Sequence, residues 1–130
     1  MAKITISKLK KKLDKIFSIY IRRRKADHLG FVECYTCGVE KHWKEQQAGH
    51  FMSRASHSTR WDEINVQVQC VSCNMFKQGN QWKFGQYLDE REGKGTAEEL
   101  SIKSKQIVKF NRLDYESMIE EYGSKVKELD

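Results

Sequence analysis

Two CxxC pairs, Cys34-Tyr-Thr-Cys37 and Cys70-Val-Ser-Cys73, account for every cysteine in the chain. Two residues between thiolates let both sulfurs of a turn reach one tetrahedral ion at ~2.3 Å, and two such turns complete a four-thiolate zinc site. A redox pair or four merely buried thiols are the competing readings. Neither accounts for two pairs with no cysteine left over. With all four positions filled by thiolate, the zinc is structural rather than catalytic. The 32 residues between the pairs exceed what a simple ribbon needs, so that segment must carry structure of its own. It holds His42, His50 and His57, and Asn74 directly follows the last cysteine.

Elements that could position these groups are legible on both sides. Residues 7–25 read as an amphipathic helix with Ser7 as N-cap. Leu9, Leu13, Ile16, Phe17, Tyr20 and Ile21 form one stripe, and Lys8, Lys11, Lys12, Lys15, Arg22 and Arg23 lie opposite. Gln47 to Met52 and Asn65 to Cys70 are the expected strands, joined by the polar loop Ser53–Thr59. A short helix is expected after Cys73, pausing near Gly79-Asn80 and resuming from Trp82 to Arg91. Thr96-Ala97-Glu98-Glu99 has the form of a capping box with Thr96 as N-cap. A last helix is expected from about Asp114, with Tyr115, Met118, Ile119, Tyr122, Val126 and Leu129 on one side.

Composition bounds the function. The chain has 130 residues, 38 % hydrophobic and 32 % charged, with fourteen aromatic residues, too many for a solvated tail. No run approaches the ~18 apolar residues of a membrane span. The N-terminus shows no apolar stretch with a cleavage site, so secretion is not expected and the cysteines are expected in a reducing compartment. The formal net charge is +6, and Lys and Arg crowd residues 1–25, where Asp14 is the sole acid. Zinc bound by four thiolates would lower the charge by two, to +4, leaving the chain basic. A clustered positive excess on a small domain favours a polyanion, most often nucleic acid, over a merely solubilising surface.

Taken together, Cys34-x-x-Cys37, Ala48-Gly49-His50-Phe51, Asn65, Cys70-x-x-Cys73-Asn74 and Lys77-x-Gly79-Asn80 resemble the HNH, or ββα-metal, nucleases. More closely they resemble the phage recombination endonucleases of the NinG/Rap type, over roughly residues 10–110. The resemblance implies that His50 is the general base that activates water against a phosphodiester, a task suited to an imidazole with an unperturbed pKa of ~6.5. A satisfied structural histidine is the competing reading. Asn65 matches the middle asparagine, which ties the loop to the base-bearing strand. Asn74 matches the third position, where its amide oxygen would hold Mg²⁺ or Mn²⁺ beside the scissile phosphate, with helix N-capping as its ordinary alternative. Many HNH enzymes carry an acidic metal ligand just before the base, and this chain has Gly49 there. Asp62, Glu63 and His57 are candidates for a second ligand, as is a site completed by water and substrate.

The expected fold is α+β: a single domain over 1–130, with a basic helix at 7–25, a zinc-bound ββα-metal (HNH/treble-clef-like) core at 31–92, and C-terminal helices at 96–130. The expected activity is divalent-metal-dependent cleavage of branched DNA such as Holliday junctions and D-loops. The alternatives are a non-catalytic zinc-stabilised nucleic-acid-binding module and an HNH nuclease acting on linear duplex. Arg22, Arg23, Arg54, Arg60, Lys77 and Lys83 are the expected DNA contacts. Trp61 and Trp82 are read as core, with stacking on unpaired bases as their other reading. His28 and His42 are read as surface residues. Two cuts on symmetric strands would need a homodimer, and the apolar side of helix 114–129 is either its interface or intramolecular packing. A protein of this type would act in the cytoplasm of a phage-infected bacterium.

Overall fold

The computed structural model describes residues 3–130. Met1 and Ala2, counted in the expected domain and in the N-terminal segment read against secretion, lie outside them. The first helix, α1 (Ile6–Arg23), starts earlier than its stripe suggested, because Thr5 rather than Ser7 is the N-cap: its hydroxyl accepts the Lys8 N–H at 3.2 Å. Leu9, Leu13, Phe17 and Ile21, one helical turn apart, are all buried.

Two short hairpins follow. β1 (Phe31–Glu33) pairs antiparallel with β2 (Glu40–His42), a hairpin not expected from the sequence. The buried Gln46 amide braces it, donating to the carbonyls of Val32 and Val39. After a 3₁₀ turn at Trp43–Glu45, β3 (Gln47–His50) pairs antiparallel with β4 (Val66–Gln69), Gln47 opposite Gln69 and His50 opposite Val66. β3 starts where expected but ends two residues early, and β4 is one residue shorter at each end. Between them sits the single turn α2 (His57–Arg60).

Beyond β4 the chain forms a π-helical turn at Ser72–Phe76, reverses through Gln78, Gly79 and Asn80, all with positive φ, and enters α3 (Gln81–Glu92). The expected pause falls at this reversal. α4 (Thr96–Ser104) follows, but the expected capping box is absent. Gly95, at φ +94°, is the N-cap, and the Thr96 hydroxyl donates to the Gly93 carbonyl. The capping box stands instead at α5 (Arg112–Glu128), where Asn111 and Asp114 satisfy each other's backbone N–H groups.

The apolar side of α5 packs on α1 within the chain, with Tyr122 edge-on to Phe17 at 4.8 Å. That face is therefore not open to a second copy. Val32, Trp61, Val66 and Val68 complete the same core. A second core joins Tyr35, Phe84, Leu88 and Leu100. Trp61 is core as expected, but Trp82 is exposed, because α3 turns Phe84 and Leu88 inward and leaves Trp82 facing water. His28 is exposed, whereas His42 is half-buried and accepts the Lys44 N–H. No helix among the described residues is long and apolar enough to cross a membrane.

Candidate functional site

Cys34 leaves β1 into a turn closed by the Gly38 N–H on the Cys34 carbonyl, at 2.9 Å. Cys37 lies within that turn, Cys70 follows β4, and Cys73 lies in the π-helical turn. The four sulfurs lie within 4.8 Å of one another, and those of Cys37 and Cys70 are 3.6 Å apart. Tetrahedral zinc with ~2.3 Å bonds requires sulfurs ~3.8 Å apart, so the cluster fits such an ion. Weak donors already point at the sulfurs: the Cys73 N–H at Cys70 and the Asn80 amide at Cys73. Burial raises the Cys34 thiol, but the Thr36 hydroxyl and the N–H groups of Cys70, Cys37 and Thr36 outweigh it and bring the thiol down to about 6. The four cysteines could thus bind a metal such as zinc.

His50 ends β3 and lines a groove of about 400 Å³ with Ala48, Ser53, Arg54, Asn74, Gln78, Gly79 and Gln81. Its Nε2 is 2.9 Å from the Arg60 carbonyl. A carbonyl can only accept, so Nε2 carries the proton and Nδ1 holds the lone pair. Nδ1 has no partner in the protein and is not sealed from solvent. Burial pushes His50 down to about 4, with the Arg60 carbonyl opposing and the Arg54 charge reinforcing the shift. The imidazole is therefore neutral near pH 7.

Asn65 is fully buried. Its oxygen accepts the Met52 N–H at 2.7 Å, and its amide donates to the carbonyls of Met52 and Thr59. Those bonds hold the loop after β3 and the end of α2 in place, and Arg60 lies next in the chain. Asn74 shares the groove with His50. Its amide nitrogen donates to Gln47 Oε1 at 2.7 Å, leaving its oxygen free to accept. It forms no side-chain cap.

The second-ligand candidates point elsewhere. Asp62 binds Lys103 of α4 at 2.5 Å and the N–H groups of Ile64 and Asn65. Glu63 binds Tyr122 and Lys125 of α5, and His57 packs on Trp61. Among the described residues, no second group of three His, Cys, Asp or Glu side chains could hold an ion. Gly49 has no room for a side chain at all, since a Cβ there would overlap the side chain of Gln69. The buried Gln69 amide instead links Thr36, in the first cysteine turn, to the Gly79 carbonyl, at 3.1 and 2.7 Å. Asn74 thus brings an amide oxygen with no partner in the protein to the groove, beside Ser53, Gln78 and Gln81.

The expected DNA contacts divide. Lys77 and Lys83 are exposed, and Arg54 lines the groove with its side chain 59 % exposed. Arg60 is engaged within the chain: its Nε and Nη2 donate to the two oxygens of Asp14, at 3.1 and 2.6 Å, in a pair mostly out of water. Arg22 is held by Ser18 and the Trp43 carbonyl, and Arg23 pairs with Asp130. Sequence reasoning missed Asp14, which also accepts from Arg54 and from the Trp61 indole. Burial alone would raise its carboxyl, but Arg60, Arg54 and Trp61 together hold it below the ordinary range. Asp14 thus anchors the side chain of the residue whose carbonyl meets His50. Its isolation as the one acid in a basic helix was the available signal.

A family model described as Bacteriophage Lambda NinG protein matches residues 2–130. The chain is 30 % identical over 122 residues to protein ninG of Salmonella phage P22, covering 92 % of this chain and 56 % of that protein. It is 27 % identical over 122 residues to protein ninG of Escherichia phage lambda, with the same coverage. With protein ninG of Escherichia phage 933W it shares 31 % over 93 residues, 69 % of this chain and 43 % of the other. The chain thus spans about half the length of the curated relatives it matches. No solved structure matches it.

Proposed function

The chain belongs to the bacteriophage lambda NinG family, and from that premise we propose that it is a divalent-metal-dependent DNA endonuclease of HNH type that cuts branched recombination intermediates. The observation that carries this reading is the state of His50: Nε2 is committed to the Arg60 carbonyl, Nδ1 is left as the nitrogen that can take a proton, and the residue lines a groove with Asn74. The β3–β4 hairpin followed by the π-helical turn and α3 supports the ββα-metal resemblance, with zinc on the four cysteines as scaffold.

In this reading a phosphodiester lies across the groove near Arg54, Lys77 and Lys83. His50 Nδ1 takes a proton from water as the water attacks phosphorus, and the protonated ring keeps its Nε2 bond to the Arg60 carbonyl. Mg²⁺ or Mn²⁺, held by Asn74 and by phosphate oxygens, would polarise the phosphoryl group and stabilise the leaving oxyanion. With a neutral amide as its ligand, the ion would bind more tightly once phosphate oxygens are in place.

The test is strand cleavage of a four-way junction and a matched linear duplex by zinc-loaded protein with Mg²⁺ or Mn²⁺, beside His50→Ala. The expected result is ion-dependent cutting that favours the junction and falls roughly 10²- to 10⁴-fold in the variant, the range for loss of a general base. Equal cutting of both substrates would remove the branch selectivity and leave the chemistry. Binding without cutting, unchanged in the variant, would overturn the nuclease reading in favour of a non-catalytic binding module.

A further inference from the structure

Three large apolar side chains stand in water within eight residues of chain: Met75 at 61 %, Phe76 at 82 % and Trp82 at 77 % exposure. Other exposed apolar residues lie elsewhere in the chain: Leu29 before β1, Ile107 between α4 and α5, and Leu113 at the start of α5. Along the chain Met75, Phe76 and Trp82 interleave with the groove's lining: Asn74, Gln78 and Gln81 line it, Phe76 lies between the first two, and Trp82 follows the third. The reversal through Gln78–Asn80 brings together the two segments that carry the rings. The Gly79 N–H returns to the Cys73 carbonyl at 2.8 Å, so the start of α3 sits beside the π-helical turn. Met75 is held by the Gln47 amide, which donates to its sulfur. A left-handed conformation at Gln78, a residue with a Cβ, is uncommon and costly, and such backbone is typically kept where function needs it.

Two cations alternate with the rings along the chain, as Phe76-Lys77 and Trp82-Lys83, and both lysines are exposed. Exposed aromatic faces interleaved with lysines suit nucleic acid whose bases are unpaired: the ammonium groups meet phosphates while the bases stack on the rings. Paired bases in an intact duplex hide their faces in the stack and offer these rings nothing. We propose that Phe76 and Trp82 form a stacking platform for unpaired bases at a DNA branch point, and that this platform supplies the selectivity for branched over linear DNA. The inference rests on the nuclease reading for its choice of DNA as partner, but binding tests it without cleavage.

The experiment uses the zinc-loaded 130-residue chain with Ca²⁺ in place of Mg²⁺, and compares a four-way junction with a duplex of matching arms. Affinity and tryptophan emission are read for wild type, Phe76→Ala and Trp82→Ala. Both side chains are largely solvent-exposed, so neither variant opens a core. Each substitution should weaken junction binding roughly 5- to 50-fold while duplex binding stays within about twofold. The junction should quench wild-type emission, and the quench should vanish in Trp82→Ala, since Trp61 is buried and Trp43 half-buried. A wild type with no junction preference, variants that keep the preference, or equal loss on both DNAs would overturn the platform. In Mg²⁺, cutting by a wild type whose selectivity survives both substitutions would sink this inference and leave the nuclease reading standing. Selective junction binding through the rings without cutting would do the reverse.

Discussion

An imidazole works as a base only while its lone pair is free, and burial keeps His50 in that state. With its folded pKa pushed down to about 4, against ~6.5 unfolded, the unfolded chain binds the extra proton between those values. Stability from this group is therefore complete above pH ~6.5 and is lost as pH falls toward 4, by up to about 3 kcal/mol. Urea midpoints at pH 7 and 4.5 should show a steeper loss for wild type than for His50→Gln. The difference between the two isolates the imidazole from proton competition at the cysteines. Equal slopes would mean that the ring titrates normally. Asp14 acts one step further back. Asp14→Asn should cost roughly 1–2 kcal/mol by leaving the Arg60 guanidinium short of its counter-charge. Because the Arg60 backbone orients His50, the variant should also lower kcat more than it raises KM. A double-mutant cycle with Arg60→Gln should show coupling between the two sites, and strict additivity would break the proposed chain of positioning.

Strands and turns determine which side chains can meet in the groove, and here Gly49 is the constrained position. On β3 it sits opposite Gln67 and against the Gln69 side chain, which fills the volume a Cβ would need. Gly49→Ala should destabilise the hairpin by about 1–3 kcal/mol, the usual range for overpacking. Thermal melts should show part of that loss recovered in Gly49→Ala/Gln69→Ala. No recovery would place the strain elsewhere. The same hairpin shows what the sequence could and could not reveal. The β3–β4 strands were legible because Val66 and Val68 alternate, and the cysteine turns because CxxC spacing is itself the signal. β1–β2 was not legible, since three residues of Glu-Lys-His carry no periodicity and their pairing depends on Gln46 from outside the strands. The Thr96 capping box failed because Gly95, in a left-handed conformation, took the N-cap. At the groove, His50, Asn65 and Asn74 could be singled out by their motif. Asp14 has no motif, and its partners Arg54 and Arg60 are 40 and 46 residues away, so only its isolation in a basic helix marks it.

At the scale of the molecule, two cores divide the consequences of metal loss. The larger joins α1 and α5 to Val32, Trp61, Val66 and Val68, and needs no cysteine to close it. The smaller depends on Tyr35, inside the first cysteine turn, and on Phe84 and Leu88, which follow the second. Folding free energy in small metal sites is largely metal-binding free energy, so a chelator should act unevenly across the chain. Unfolding throughout residues 31–92 would be too broad for this architecture, because Val32, Trp61, Val66 and Val68 belong to the larger core. Protection from amide exchange should fall in residues 34–37 and 70–92. It should persist in residues 9–21 and 115–122, where Phe17 and Tyr122 interlock. The thermal midpoint should drop by roughly 10–20 °C, and zinc should restore it. Uniform loss of protection would mean that the two cores fold as one cooperative unit, and no loss would show that the four sulfurs do not hold a structural ion. The uneven outcome has a functional corollary. Asn74, Gln78 and Gln81 all lie on the stretch that the cysteines secure, while His50 sits on the hairpin packed against α1. The metal would then govern whether the two walls of the groove face each other.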